Sequence, residues 1–250
     1  MKKKLRILLV AISVLVLACA IAVGVLAADD GVSAQAENPW QYVTSSGETK
    51  TAATFSEAVK GAGSGKTVTL LSDCTEWLKA TFDDSGKVTS DSSIVINKAL
   101  TVDLGGHTYK MVQEHQSRIS ITTTSLVTIK NGTIVAGGNS VFGSNNSGYA
   151  IIRPDTGNTN IKLENLNTYS GCVVHSGWVS GTKVTIVGGE HHLIYNPGHC
   201  MGGGLVESRR NADVNVSDAK IFVANNRYLM SSMIYGETSS TKSSKYVFTD

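Results

Sequence analysis

The chain has 250 residues, enough for one large domain or two small ones. Hydrophobic residues make up 41% and charged residues 17%, a balance that is typical of globular proteins with a sizeable core and argues against a disordered chain. The net charge of +2 comes from residues 1–28, which hold four of the 22 basic side chains. The remainder has 18 basic and 20 acidic residues, so no basic surface for a nucleic acid is indicated.

Residues 1–28 are predicted to direct export. A basic start with Lys2 and Arg6 precedes a mostly apolar run of 22 residues, 7–28. Small residues at 25–27 offer a cleavage site for a signal peptidase. Without cleavage the run is long enough to cross a bilayer as an anchor. We therefore expect a secreted or cell-surface protein of the bacterial type, with membrane contact only through this segment if it is retained.

One helix is predicted near the start of the mature chain. Residues 29–50 are polar and read as a linker or the start of the fold, and residues 51–250 as the folded domain. Thr54 and Glu57 have the spacing of a capping box, and Gly61 ends the helix. A strand over residues 67–71 is expected to follow.

The glycine-rich stretch between helix and strand, GAGSGKT (61–67), does not indicate a nucleotide site. A phosphate-binding loop needs a glycine where Lys60 stands, and it follows a strand and opens a helix, whereas the order here is reversed. Residues 83–86 have turn chemistry and are predicted to form a hairpin tip.

Five short segments then repeat one plan, in which two apolar residues flank one other residue and a turn former follows two places later. The apolar pairs are Val102/Leu104, Val127/Ile129, Ile161/Leu163, Val184/Ile186 and Val214/Val216. The turn formers are Gly106, Asn131, Asn165, Gly188 and Asp218. The segments start 25, 34, 23 and 30 residues apart, a spacing that suits stacked coils with uneven loops.

The residue between each apolar pair is expected to face outward. This column reads Asp103, Thr128, Lys162, Thr185 and Asn215. It is polar and mixed in sign, so it gives no ladder of carboxylates. The last residues, 246–250, read as a strand, which is either the closing edge of the domain or the point where a fragment of a longer protein stops.

Three stretches carry a resemblance to a known group: TFSEAVKGAGSGKTVTLLSD (54–73), INKALTVDLGGHTY (96–109) and IKNGTI (129–134). They resemble the right-handed parallel β-helix domains of the pectate-lyase-like group, found in bacterial secreted and cell-surface proteins. The resemblance covers roughly residues 54–225. It implies an all-β fold, a right-handed parallel β-helix (solenoid) with a short N-terminal capping helix. The group includes polysaccharide lyases, glycoside hydrolases, adhesins and domains without known activity.

Sugar binding is the specific function that the sequence favours. Exposed aromatic faces stack on pyranose rings, while asparagine and arginine side chains reach hydroxyl groups. Side chains of these kinds lie in or beside the expected loops of adjacent coils. The predicted ligand-binding residues are Tyr169, His175, Trp178, Tyr195, His199, Arg209 and Arg210.

Catalysis by a polysaccharide lyase or glycoside hydrolase is the alternative, with no catalytic residue assigned. Asp213 and Asp218 flank one coil and follow two arginines, but a solvated loop explains them equally well. β-helix hydrolases carry N-x-D and G-H-G elements, and Gly198-His199-Cys200 matches only two residues of the second. A second alternative is a structural stalk or spacer of a larger surface protein.

No metal or cofactor is predicted. His175, His191, His192 and His199 lie near Glu190 and Cys200 in the sequence, and these are all metal-ligand types. However, adjacent strand residues face opposite ways, so His191 and His192 cannot both reach one ion. His191 aligns with the core-like residues Tyr109, Ile134 and Ile221, and we expect a buried, hydrogen-bonded imidazole.

The mature cysteines are Cys74, Cys172 and Cys200, widely spaced and odd in number. A bridge from Cys172 to Cys200 is open to an exported protein, and three small core-filling thiols are the other interpretation. The sequence therefore predicts an exported glycan-binding or adhesive module whose partner is a polysaccharide or surface glycan.

Overall fold

A computed structural model describes residues 36–114, 117–138, 150–177, 179–193, 204–208, 210–223, 234–236 and 245–249. The fold is mostly β, and two large sheets share one hydrophobic core. The first sheet has thirteen strands. They are β1 (Trp40–Val43), β2 (Thr49–Ala52), β3 (Lys66–Leu70), β4 (Cys74–Leu78), β8 (Leu100–Asp103), β9 (Thr108–Gln113), β11 (Leu126–Gly138), β13 (Asn160–Ser170), β15 (Thr182–Val187), β16 (Glu190–Leu193), β18 (Ala212–Ser217), β19 (Lys220–Val223) and β21 (Lys245–Thr249).

The second sheet has six strands, all paired in parallel. In spatial order they are β7 (Ile94–Ile96), β10 (Ile119–Ile121), β12 (Ala150–Pro154), β14 (Cys172–Gly177), β17 (Gly204–Ser208) and β20 (Ile234–Gly236). Parallel neighbours need long connections, and here each strand pairs with one that follows after an excursion through the first sheet. The chain therefore alternates between the two sheets.

The helix α1 (Phe55–Gly61) begins as predicted. The Thr54 side chain accepts from the Glu57 N–H, and the Glu57 carboxylate accepts from the Thr54 N–H, which makes the capping box. Phe55, Ala58 and Val59 are buried on one side of the helix. Phe55 packs in an aromatic cluster with Trp40 and Tyr109, at ring-centroid distances of 4.5 and 5.6 Å. The helix thus covers one end of the core, where β1 and β2 pair antiparallel.

Four of the five repeated apolar pairs lie in the parallel register that their pattern predicts. One buried row runs through Leu100, Val127, Ile161, Val184 and Val214. A second runs through Val68, Val102, Ile129, Leu163, Ile186 and Val216. Each of these side chains is at most 4% exposed, so the two rows are the contribution of the first sheet to the hydrophobic core.

The alignment of the first repeat was wrong by two residues. Val102 pairs with Ile129 rather than Val127, and Asp103 lies opposite Lys130 rather than Thr128. The reason is the corner after Asp103, which takes four residues before β9 begins, whereas two residues separate Lys130 from Thr133 in β11. The first corner is therefore two residues longer than the second, which moves the first apolar pair two positions out of the predicted alignment.

The predicted turn formers all adopt positive φ. The angles are 85° for Gly106, 58° for Asn131, 48° for Asn165, 68° for Gly188 and 54° for Asp218. Only glycine, asparagine and aspartate enter this region at low cost, which explains the residue types at the corners. The prediction of a bent backbone at these positions is confirmed.

The predicted hairpin is also present, as a third, two-stranded sheet. Strands β5 (Ala80–Phe82) and β6 (Val88–Asp91) pair antiparallel with each other and with no other described strand. The Asp83 carboxylate accepts hydrogen bonds from the N–H groups of Ser85 and Lys87 in the turn. A hydrogen bond of 2.9 Å from the Ser92 N–H to the Lys79 carbonyl closes the base.

Among the described residues no helix is both long and apolar enough to span a bilayer. The predicted export segment, residues 1–28, lies outside the described part of the chain.

Candidate functional site

Three of the seven predicted ligand-binding residues are described: Tyr169, His175 and Arg210. Tyr169 lies in β13 of the first sheet and His175 in β14 of the second, so the structure places them on different sheets. Arg210 follows β17, the strand that pairs with β14. The predicted residues outside the described part are Trp178, Tyr195, His199 and Arg209.

His175 belongs to a row of polar side chains across the second sheet. In register it lies opposite Glu207 of β17, and the positions of Ser120 and Arg153 pair on β10 and β12. Ile152 pairs with Val174, which places Arg153 beside His175. We call Ser120, Arg153, His175 and Glu207 the polar row. Strand spacing in a sheet is about 4.8 Å, so the four side chains recur at that interval along one line.

Contacts with carboxylates hold the polar row at both ends. The Nε of Arg153 lies 2.8 Å from a carboxylate oxygen of Asp155, and the Ser120 hydroxyl donates a hydrogen bond to the same carboxylate. The Nε2 of His175 lies 3.5 Å from Oε1 of Glu207. Side-chain exposure falls from 28% at Arg153 through 19% at His175 to 5% at Glu207. A carboxylate so well buried is costly without partners, and the imidazole is the partner that the register supplies.

Apolar residues surround the row on its own face of the sheet. Ile151, Val173 and Leu205 lie two positions before Arg153, His175 and Glu207 in the three central strands, and each is 0% exposed. Ile152, Val174 and Val206, which alternate with them, are also 0% exposed and belong to the other face. The central strands are therefore buried on both faces, and the polar row stands in apolar surroundings where electrostatic interactions are strong.

A second guanidinium lies close to the row. Burial lowers the pKa of Arg118 from its usual value, and the charge of Arg153 lowers it further. The carboxylates of Asp155 and Asp91 act in the opposite direction. The site therefore combines the guanidinium groups of Arg118 and Arg153 with the carboxylates of Asp155 and Glu207. The imidazole of His175 and the hydroxyl of Ser120 complete it. Such a set can donate to and accept from the hydroxyl groups of a ligand.

The glycine at the end of β14 shapes the site. Gly177 has φ of 53°, and the ladder between β14 and β17 shifts register between His175 and Gly177. A Cβ at Gly177 would stand 3.6 Å from the imidazole of His175 and 3.9 Å from Nε of Arg153. This irregularity places both side chains around one point.

Tyr169 takes part in a different arrangement, on the first sheet. Its ring stacks on His192 at 4.4 Å, and His192 stacks on Phe222 at 4.5 Å, with interplanar angles of 7° and 11°. We call these three residues the aromatic stack. Phe222 is 45% exposed. One face of the Tyr169 ring is covered by His192, so that face is closed to a sugar.

His191 is a core residue, as its alignment predicted. It lies in an inward row with Tyr109, Ile134, Thr168 and Ile221, and it is 0% exposed. Its Nδ1 lies 2.9 Å from the Thr168 hydroxyl. Neighbouring His192 faces outward in the aromatic stack, which confirms that the two imidazoles point to opposite sides. The described residues contain no group of three or more His, Cys, Asp or Glu side chains placed for a metal ion.

The cysteines are partly accounted for. Cys74 and Cys172 are buried, and burial with the nearby charge of Glu76 raises the pKa of the Cys74 thiol to about 12. A thiol with that pKa is unreactive at neutral pH, in agreement with a core-filling role. Cys200 lies outside the described residues, so the bridge from Cys172 stays a prediction.

Sequence reasoning missed Arg153, Asp155 and Glu207. A signal for them exists in the strands of the second sheet, which read Ala-Ile-Ile-Arg (150–153), Cys-Val-Val-His (172–175) and Gly-Leu-Val-Glu (204–207). Each has a small residue, two branched apolar residues and a charged or titratable one. Comparison of the chain with family models, with curated proteins and with solved structures gave no significant match.

Proposed function

We propose that the chain is an exported right-handed parallel β-helix that binds a glycan along the polar row of its second sheet. The fold proposal is supported by the parallel register of the repeats and by the alternation of the chain between two parallel sheets. Export is supported by the basic and apolar residues 1–28.

The observation that carries the binding proposal is the His175–Glu207 pair in line with Arg153. A linear glycan presents hydroxyl groups that recur along its length, and the polar row presents fixed donors and acceptors that recur at about 4.8 Å. Charge-assisted hydrogen bonds from such preorganised groups are roughly twice as strong as neutral ones. The side chains are 5% to 28% exposed, which leaves contact for a ligand and holds each rotamer in place.

The test is a glycan-array screen of the purified protein, followed by titration of the glycan that binds. Glu207→Gln keeps the shape of the side chain and removes its charge, and we expect it to weaken binding roughly tenfold or more. The matched control is Glu164→Gln, the same change on the first sheet, where Glu164 pairs with Lys162 at 2.7 Å. Equal affinity of the two variants for the glycan would contradict the proposed site. No binding by the wild-type protein would favour the stalk or spacer.

A second candidate, hydrolysis or elimination at the same row, is favoured by one further observation. Two carboxylates border the row: Asp155 directly follows β12, and Glu207 lies in β17, which is two strand spacings, about 10 Å, from β12. Inverting glycosidases hold their carboxyl groups about 6.5–9.5 Å apart, so this chemistry requires the Asp155 side chain to turn from Ser120 of β10 toward Glu207. Turnover of the bound glycan is therefore followed in parallel. Turnover that Glu207→Gln abolishes while binding persists would identify an enzyme rather than a binding module.

A further inference from the structure

The corner within β11 needs the dipeptide Asn131-Gly132, the single Asn-Gly pair of the sequence. Asn131 has φ of 58°, a region that asparagine enters at lower cost than most residues with a side chain. A Cβ at position 132 would collide with the Leu104 side chain and with the His107 carbonyl oxygen, so this position needs glycine. The geometry of the corner therefore fixes both residue types.

The same dipeptide is chemically reactive. The backbone nitrogen of a glycine after asparagine can attack the side-chain amide carbon, because glycine has no side chain to hinder the approach. The new C–N bond closes a five-membered succinimide ring, the Cγ–Nδ2 bond breaks, and ammonia leaves with the proton of the backbone nitrogen. Water then opens the ring at either carbonyl. The net reaction turns asparagine and water into ammonia and either aspartate or isoaspartate.

The side chain of Asn131 is bound to Asp103. Its Nδ2 donates to both carboxylate oxygens of Asp103, each at 3.3 Å. That carboxylate also accepts the Gly105 N–H at 3.0 Å, and Nζ of Lys130 lies 3.3 Å from it. Hydrogen bonds to an ionised acceptor are stronger than neutral ones. The amide group of Asn131 is therefore held in one orientation, by a carboxylate that is itself held.

The backbone of the corner is held as well. The Gly106 N–H donates to the Asn131 carbonyl at 2.7 Å. Just beyond, the Thr133 N–H donates to the His107 carbonyl at 3.0 Å. The left-handed region to which φ of 58° belongs has ψ of about +30 to +60°. A succinimide ring needs ψ well outside that range, so the Gly132 nitrogen reaches the amide carbon only after the corner opens.

We propose that Asn131 is a deamidation site that Asp103 protects while the corner is closed. The co-reactant is water, which reaches this half-buried side chain when the corner opens. Either product keeps the corner from closing again in the same form. A carboxylate at position 131 would lie at hydrogen-bond distance from the carboxylate of Asp103, and like charges so placed repel.

Isoaspartate also changes the length of the main chain, because it adds one backbone atom at position 131. β11 pairs with β8 before this corner and with β9 after it, and it pairs with β13 along both parts. A strand that is one atom longer between two ladders cannot keep both in register. Deamidation of this one amide therefore loosens the pairing of β11 with three neighbouring strands, and the change is irreversible.

Mass spectrometry of the peptide that contains residue 131 measures the reaction, since deamidation raises its mass and isoaspartate changes its retention. The purified protein is incubated at mildly alkaline pH, either folded in buffer or unfolded in guanidinium chloride. We expect Asn131 to deamidate at least roughly tenfold more slowly in the folded protein, because the reaction waits for the corner to open. Equal rates in the two states would overturn the proposal.

Variants of Asp103 test its protective role. We expect Asp103→Ala to raise the folded-state rate roughly fivefold or more, the factor that a lost hydrogen bond to a charged group gives, and to leave the unfolded-state rate unchanged. Asp103→Asn keeps an acceptor oxygen, and its rate is expected to stay closer to that of the wild type. The matched control is Glu164→Ala, which removes a carboxylate from the next strand, where Glu164 contacts Lys162. An unchanged rate in Asp103→Ala, or an equal rise in Glu164→Ala, would contradict the proposal.

A further variant separates opening of the corner from a general loss of stability. The carboxylate of Glu76 contacts Phe55 and Tyr109 and not the corner, so Glu76→Ala weakens the fold elsewhere. We expect this variant to deamidate at the wild-type rate under folding conditions, with the free energy of unfolding of each variant measured in parallel. If Glu76→Ala deamidates as fast as Asp103→Ala, loss of stability alone exposes Asn131 and Asp103 has no protective role.

Discussion

The hydroxyl of Tyr109 donates a hydrogen bond of 2.9 Å to a carboxylate oxygen of Glu76, beneath the capping helix. The same oxygen accepts the backbone N–H of Phe55, at 3.0 Å, which is the first residue of that helix. Burial raises the pKa of Glu76, and its two hydrogen bonds oppose that rise. One carboxylate therefore joins α1 to β9 across the aromatic cluster.

We predict that Glu76→Ala lowers the free energy of unfolding by about 1–3 kcal/mol for each donor left without a partner. Glu76→Gln keeps an acceptor oxygen and is expected to cost less. Urea denaturation of both variants measures the difference. The control is Glu48→Ala, because the Glu48 side chain is 61% exposed. If Glu76→Ala is no less stable than this control, the carboxylate does not hold the cap.

The buried imidazole of His191 gives a prediction for pH. Burial lowers the pKa of His191 from 6.5 to about 4. Between these values the unfolded chain binds a proton that the folded protein does not, so this group makes stability fall as the pH drops from about 6.5 to about 4. The slope contributed by one such group is at most about 1.4 kcal/mol per pH unit.

We expect His191→Leu to flatten the dependence of stability on pH in that window. Denaturation midpoints at several pH values, for the variant and the wild type, measure it. His107→Gln is the control, since the side chain of His107 is 38% exposed. An unchanged slope in His191→Leu would show that other groups set the acid sensitivity.

Close packing at a corner gives a third prediction. A Cβ at Gly132 would stand 2.5 Å from Cβ of Leu104 and 2.6 Å from the His107 carbonyl oxygen. Gly132→Ala must therefore push two corners apart, and we expect a loss of about 1–3 kcal/mol. Gly137→Ala is the matched control in the same strand, because nothing lies within 4 Å of its Cβ position. Thermal unfolding of both variants decides between a steric requirement and a general cost of alanine.

The repeats of the first sheet could be predicted from the sequence because one face of each strand is buried and the other faces solvent, which makes apolar and polar residues alternate. Val127, Ile161 and Val184 alternate with polar residues, and Asn131 and Asn165 mark the corners where positive φ is needed. The hairpin tip at 83–86 and the capping box of Thr54 and Glu57 are likewise local signals. Each of these features depends on a few residues that are neighbours in the sequence, so the sequence alone predicts it.

The polar row of the second sheet could not be predicted in this way. Its central strands are buried on both faces, so Ile151, Ile152 and Arg153 follow one another without alternation. Register between distant segments, which depends on loop lengths, is what brings Arg153, His175 and Glu207 together. The aromatic stack has the same origin, because Tyr169 and Phe222 meet only through His192 of the strand between them.

The hairpin of β5 and β6 has a practical consequence. Its two strands form a ladder only with each other among the described strands. The chain enters the hairpin after Lys79 and leaves it at Ser92, and a backbone hydrogen bond joins these two residues. A foreign domain spliced into its turn at Ser85 would leave every ladder of the two large sheets intact. The turn of the hairpin is thus a suitable site for inserting a fluorescent label or a second domain, because an insertion there breaks no strand pairing of the two large sheets.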